Sequence, residues 1–278
     1  MLELVLHDVV LYSKMNRRLL RRPLSWIILA LVLFFLRPAP CAALSLEQLN
    51  DSEKSLLHSA VEMLDPVIAE RRNAGTAPML TFEELYAPLQ PPQIRFLQQF
   101  LQLDPLAVGG SSRKLPPPSE KDRFVRLDNQ TVVRGGAPAS LDRQYLPAPA
   151  YEAYLKMMAA MEAEIGKRLL VESGYRSPAY QLYLFLFYLP KHGYSIRETT
   201  RFVALPGSSE HGSPARQAID FITPDGINGE DRPAEFEELQ EYGWLRSRAH
   251  EFRFFLSYPR GGPSSFEPWH WHYEIDGD

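Results

Sequence analysis

The sequence predicts an α+β fold: a small mixed or antiparallel sheet with flanking helices, preceded by a helical N-terminal region. Three observations carry that expectation. Apolar residues recur at helical spacing through residues 45–103. From about residue 120, short strand patterns are interspersed with helical ones and no regular βαβ repeat appears. Between them lies a stretch rich in Pro, Gly and Ser, residues 104–122, that reads as a linker or long surface loop. A length of 278 residues leaves room for one or two domains of roughly 100–200 residues each. With 45% hydrophobic and 23% charged residues the chain is not a wholly disordered one.

The front end reads as a targeting segment rather than as fold. Arg17, Arg18, Arg21 and Arg22 form a basic block, and an apolar run from Leu24 to Leu36 follows, broken only by Ser25. That run is short for a membrane span of about 20 residues but suits the core of a secretory signal. Cleavage after Ala43 in Cys41-Ala42-Ala43 would satisfy the small-x-small rule, and an uncleaved signal anchor is the alternative. Met15, just ahead of the basic block, marks an alternative start. Residues 1–43 hold six of the 30 basic and two of the 34 acidic residues, leaving a mature chain of net charge −8 without cysteine. The expectation is an exported acidic protein, periplasmic or in the cell envelope, that folds without disulfides. It touches the membrane only through its N-terminal signal if that is uncleaved. Nothing in the overall charge suggests nucleic-acid binding.

The remaining elements follow in order. Ser45 with Gln48, and Thr81 with Glu84, match the reciprocal capping pattern that opens helices. Ala148–Arg168 reads as an amphipathic helix, Leu169–Glu172 as a short strand, and Pro178–Leu189 as a strongly apolar helix. Ser195 with Glu198 opens another helix. Ala218–Phe221 reads as a buried strand, Pro233–Phe252 as one helix entered through Asp231 and Pro233, and Phe254–Tyr258 and Trp269–Ile275 as strands. Residues 123–278 are thereby expected to form the second domain.

Four short segments of that domain concentrate reactive residue types: Ser173-Gly174-Tyr175-Arg176-Ser177 with Gln181, Ser209-Glu210-His211, Ala218-Ile219-Asp220-Phe221, and Glu267-Pro268-Trp269-His270. Two histidines and an aspartate make a three-ligand set for zinc, which leaves a fourth position for water and distinguishes a catalytic site from a closed structural one. Such a water ionises near a pKa of about 7. Glu267, three residues before His270, is placed to act as a base without being a ligand. Arg176 is a fixed positive charge suited to a scissile carbonyl or a substrate carboxylate.

These pieces, with Ser257-Tyr258-Pro259 between the last two, resemble in this order the D-alanyl-D-alanine carboxypeptidases of the VanY type. That group of zinc peptidases includes the VanX-like dipeptidases and shares its fold with the Hedgehog signalling domain. The resemblance spans roughly Tyr145–Ile275. It implies a Zn2+ ion on His211, Asp220 and His270, Glu267 as catalytic base and Arg176 as the carbonyl-facing group. By the same token Gln181, Ser209 and Tyr258 resemble substrate-pocket positions, and the implied substrate is a peptidoglycan stem peptide ending in D-Ala. Two departures stand out. His211 and Asp220 are nine residues apart where the family has seven, with Arg216 where Gly is expected, so a bulged loop is required; and His272 stands where the family tends to carry Arg.

Other residues draw plainer readings. His272 shares a strand face with His270 and reads as a polar pocket residue; Tyr258, Trp269 and Trp271 read as core or pocket wall. His58, His192 and His250 read as structural or surface residues, and Glu210 as a solvated neighbour of His211. Besides a D,D-carboxypeptidase, the sequence admits an L,D-carboxypeptidase or endopeptidase of the same fold, and a non-hydrolytic cell-wall binding domain.

Overall fold

In the computed structural model, residues 44–110, 114–262 and 265–275 are described; the proposed signal at 1–43 lies outside them. No helix among the described residues is long and apolar enough to cross a membrane. From Leu44 onward the chain forms one compact unit, of mixed helices and small antiparallel sheets.

Helices α1 (Asp51–Asn73), α2 (Phe82–Tyr86) and α3 (Pro91–Gln102) come first. The box at Thr81 and Glu84 forms as the sequence suggests, each side chain bonding the other's backbone N–H. The box expected at Ser45 and Gln48 is instead made by Asn50 and Glu53. The physical reason is the preceding segment: Leu49 is buried and its N–H is bonded to the Tyr194 carbonyl at 3.0 Å, which holds it outside the helix.

Two hairpin-like pairs follow. Strand β1 (Phe124–Leu127) pairs with β4 (Gln144–Pro147), and β2 (Thr131–Arg134) pairs with β3 (Ala137–Ser140). Gly135 and Gly136 close the second pair at φ 59° and 81°, the two left-handed residues that a tight two-residue hairpin turn requires. Helix α4 (Ala148–Ile165) then leads to β5 (Leu170–Ser173), α5 (Pro178–Tyr188) and the short α6 (Ile196–Thr199).

Strands β5, β6 (Arg216–Ile222), β7 (Phe254–Leu256) and β8 (His270–Glu274) form an antiparallel sheet in the order β5-β6-β8-β7. Expected as one helix, Pro233–Phe252 is three pieces: α7 (Pro233–Glu237), α8 (Gln240–Arg248) and a 3-10 turn, Ala249–Phe252. The first break falls where Leu239 takes an extended conformation and packs on the sheet's core. Arg253, at φ 66°, ends the last turn before β7.

Two cores result. One gathers α4, α8 and the sheet around Met157, Phe221, Phe254 and Trp271. The other joins α1–α3 to α5, with Leu57, Leu64, Phe96 and Phe100 against Leu182, Phe185 and Leu186. The helical region at 45–103 thus shares its core with a helix from the second half of the chain. It also holds the segment after β5: Ser177 bonds the carbonyls of Pro78 and Leu80 through its N–H and its hydroxyl, and Tyr145 donates to the Gly75 carbonyl at 2.9 Å. Within the 104–122 stretch, Val108 is buried in the helical core and Leu115 N–H bonds the Gly207 carbonyl at 2.7 Å.

Two outcomes follow from this packing. Phe185→Ala should cost about 3–5 kcal/mol in denaturant unfolding, because it empties the contact with Phe100, whose ring lies 5.9 Å away; a loss below about 1 kcal/mol would contradict a shared core. Gly174→Ala should destabilise by roughly 1–3 kcal/mol in the same assay. An added Cβ there would lie 2.4 Å from the Tyr145 carbonyl oxygen, where β4 and the segment after β5 are drawn together by the Tyr175 N–H bond to that same oxygen.

Candidate metal centre

The register of β6 on β8 sets the site. Antiparallel pairing places Asp220 opposite His270, Ala218 opposite His272 and Arg216 opposite Glu274. Side chains alternate across a strand, so Asp220 and His270 meet on the same face, with His270 Nδ1 2.9 Å from Asp220 Oδ1. His211 arrives from the 3-10 turn Glu210–Gly212. The two extra residues before Asp220 are taken up by that turn and a tight one in which Arg216 N–H bonds the Ser213 carbonyl. His211 Nε2 lies 3.1 Å from Asp220 Oδ2, and one donor atom from each of His211, Asp220 and His270 falls within 4.8 Å of the others.

The hydrogen bonds decide what this cluster can hold. His211 Nδ1 is 2.7 Å from the Gly174 carbonyl oxygen, which only accepts, so Nδ1 carries the proton. Nε2 is then a lone pair, fully buried and without a donor, facing a carboxylate oxygen. Burial, with the charge of Arg176, lowers the pKa of His211 to about 4 against the pull of Asp220, so the ring is neutral at pH 7. A lone pair facing a carboxylate is repulsive unless a cation lies between them. Burial alone would raise Asp220, but His211, which is charged in the acid range where Asp220 titrates, and His270 hold it well below the usual carboxylate range. His270 goes the other way: burial opposes its charge, yet Asp220 and Glu210 lift its pKa to about 10. A divalent cation bound by Nδ1 takes the place of that proton. Two imidazoles and a carboxylate are donors suited to zinc, so the residues present fit that ion.

Glu267 is held beside the cluster by its N–H bond to the Tyr258 carbonyl, at 3.1 Å, and its carboxylate lies 3.8 Å from His270 Nδ1. Burial pushes its pKa up to about 7; Asp220 and Glu230 add to the rise, while His270 and Arg176 oppose it. The Tyr258 ring packs against His270 with centroids 4.9 Å apart. Arg176 is half-buried, its backbone N–H bonded to the His211 carbonyl, and its buried Nε has no hydrogen-bond partner among the described residues. Of the other expected pocket residues, Gln181 is buried on α5 with its amide donating to the Ala204 carbonyl at 2.8 Å. Ser209 is buried and leads into the turn that carries His211.

Glu210 is not the solvated neighbour that the sequence suggests. It is buried, accepting from His270 Nε2 at 3.0 Å, from Arg216 Nε at 2.7 Å and from the Ser257 hydroxyl. Burial would raise its pKa, but His270, His272 and Ser257 hold it far below the ordinary carboxylate value. The only sequence signal is its place beside His211 in Ser209-Glu210-His211; Arg216 lies six residues on, but Ser257 and His270 come from distant positions. His272 is a buried polar residue as expected, its Nδ1 2.7 Å from Ser257 Oγ and its Nε2 3.1 Å from Glu274.

A family model described as VanY, D-alanyl-D-alanine carboxypeptidase, matches residues 143–276. Among curated proteins, none matches the chain. Similar solved structures include the LdcB LD-carboxypeptidase, at 23% identity and TM-score 0.42 over 57% of this chain and 69% of that one. A variant of the vancomycin-resistance D,D-pentapeptidase VanY from a VanB-type cassette, in complex with Zn(II), shows 24% identity and TM-score 0.40 over 58% and 84%. VanYB in complex with D-alanine-D-alanine shows 22% identity and TM-score 0.38 over 57% and 82%. The segment that matches the VanY family model, residues 143–276, is the one that carries the His211, Asp220 and His270 cluster.

Proposed function

We propose that this protein is a zinc-dependent D-alanyl-D-alanine carboxypeptidase that hydrolyses the terminal amide of peptidoglycan stem peptides. The observation that carries the reading is the buried His211 Nε2 lone pair facing Asp220 beside His270, within a VanY-family domain. His211, Asp220 and His270 would hold the ion. When bound, zinc supplies a Lewis acid that polarises a carbonyl and makes water acidic near neutral pH.

The chain's own residues do the rest. Glu267, raised toward neutrality by its burial, takes the proton from the attacking water and returns it to the departing amine. Arg176 has an unsatisfied guanidinium nitrogen close enough to the cluster for its charge to act on His211 and Glu267. It is suited to the oxygen on which negative charge develops, or to the substrate's terminal carboxylate. Tyr258, packed on His270, would form one wall for the substrate, with Gln181 and Ser209 as more remote pocket positions. The reading also takes the chain as exported, supported by the basic block and apolar run of residues 17–36.

Purified protein offered a muramyl pentapeptide should release free D-alanine, lose that activity in chelator and regain it with added zinc. No release from a folded, zinc-loaded sample would overturn the reading; cleavage of a tetrapeptide in preference to the pentapeptide would redirect it to L,D-specificity. Glu267→Ala should lower kcat by about a hundredfold or more with the fold intact. The base must be ionised to act, so kcat/KM should fall as pH drops through the Glu267 pKa. That limb should sit at or below about pH 7, because a bound cation favours the carboxylate. A limb that stays in place in Glu267→Gln would remove Glu267 from the role.

A further inference from the structure

A chain of polar contacts runs away from the cluster on the side opposite Asp220. His270 uses Nδ1 toward Asp220 and Nε2 toward Glu210 Oε2, 3.0 Å away. Glu210 is itself locked: Oε2 also accepts from the Ser257 hydroxyl, and Oε1 accepts from Arg216 Nε at 2.7 Å. Arg216 is anchored in turn, its Nη1 paired with Glu274 directly across the β6–β8 ladder and its Nη2 3.5 Å from His272 Nδ1. The carboxylate is nearly fully buried, whereas the guanidinium is about one-third exposed. Glu210 therefore depends on Arg216 for the full positive charge that is not part of the donor cluster. Arg216 lies in the segment between His211 and Asp220, two of the three donors.

The consequence is geometric. An imidazole that donates from Nε2 must present its Nδ1 lone pair, and its ring plane is set by the acceptor. A carboxylate free to rotate would not fix that plane; one held on both oxygens does. We propose that Arg216 is a positioning residue that acts through Glu210: it fixes the His270 ring with Nδ1 toward Asp220, and so sets how tightly His211, Asp220 and His270 hold a divalent cation. The inference rests on these three residues being a metal site, as read above, and adds to it the residues that tune it.

The test is zinc binding by the full chain, by competition with a chromophoric chelator, alongside the visible spectrum of the Co2+-loaded protein. Wild type should take up one zinc. Arg216→Ala should bind zinc about 10–100-fold more weakly and shift the Co2+ spectrum, the range expected when a partner of a metal-binding histidine is lost. Glu210→Gln should weaken it at least as much. If Arg216 works through Glu210, adding Arg216→Ala to Glu210→Gln should change affinity by less than about twofold, since the two losses are then one loss. If Arg216→Ala does not fold, Arg216→Lys reads the same quantity: it keeps the charge without the fork and should lose about three- to tenfold. Unchanged zinc affinity in the Arg216 variant, or an equal further loss in the Glu210→Gln background, overturns the proposal while leaving the metal site standing. A wild type that binds no zinc overturns the metal reading itself, and this inference with it.

Discussion

The antiparallel pairing of β6 with β8 is the constraint on which the site depends, because it makes Asp220 and His270 cross-strand partners on one face of the sheet. A shift of one residue would turn one of them to the opposite face. Burial enforces the register. Ile219 and Phe221 alternate with Asp220 and pack with Trp271 and Tyr273 into the core beneath the sheet, so slipping the strand would bury the carboxylate and expose two large apolar side chains. Apolar packing on one side of the sheet thereby fixes polar geometry on the other. His211 needs a separate device, since it comes from a turn: the Gly174 carbonyl takes its Nδ1 proton and leaves Nε2 facing Asp220.

Charge balance then shapes the site. Asp220, Glu210 and Glu267 lie around two histidines, and burial raises the cost of every uncompensated charge. The structure separates these acids by what each can find. Asp220 and Glu210 find donors and stay ionised, whereas Glu267 finds fewer and is pushed toward neutrality. Three similar carboxylates acquire different chemistry from their surroundings alone, which is how one site can contain both a group that holds a cation and a group that exchanges a proton.

Much of this was legible because it is local. Residues that share a short segment, such as Glu267 with His270 or Gly174 with Arg176, reveal their association through spacing. The sheet strands were legible from their alternation, and the α+β class from the mixture of periods. What the sequence concealed depends on contacts between distant segments. Glu210 reads as solvated because nothing near it shows that Ser257 and His270, far along the chain, converge on it together with Arg216, six residues on. Two capping patterns stand five residues apart ahead of α1, and the burial of Leu49 chooses between them. The helix from Pro233 keeps its pattern through Leu239, but that side chain is drawn onto the sheet and the backbone breaks.

The stretch that resembles the carboxypeptidases begins at residue 143, while the compact unit begins at Leu44. Those two starting points differ because the early helices pack on an apolar side of α5, and because Ser177, next to Arg176, is tied to carbonyls of Pro78 and Leu80. The stretch that the family model matches is therefore smaller than the compact unit. Excised at the boundary of its family likeness, the segment would surrender the two carbonyls that tie down the residue beside its arginine.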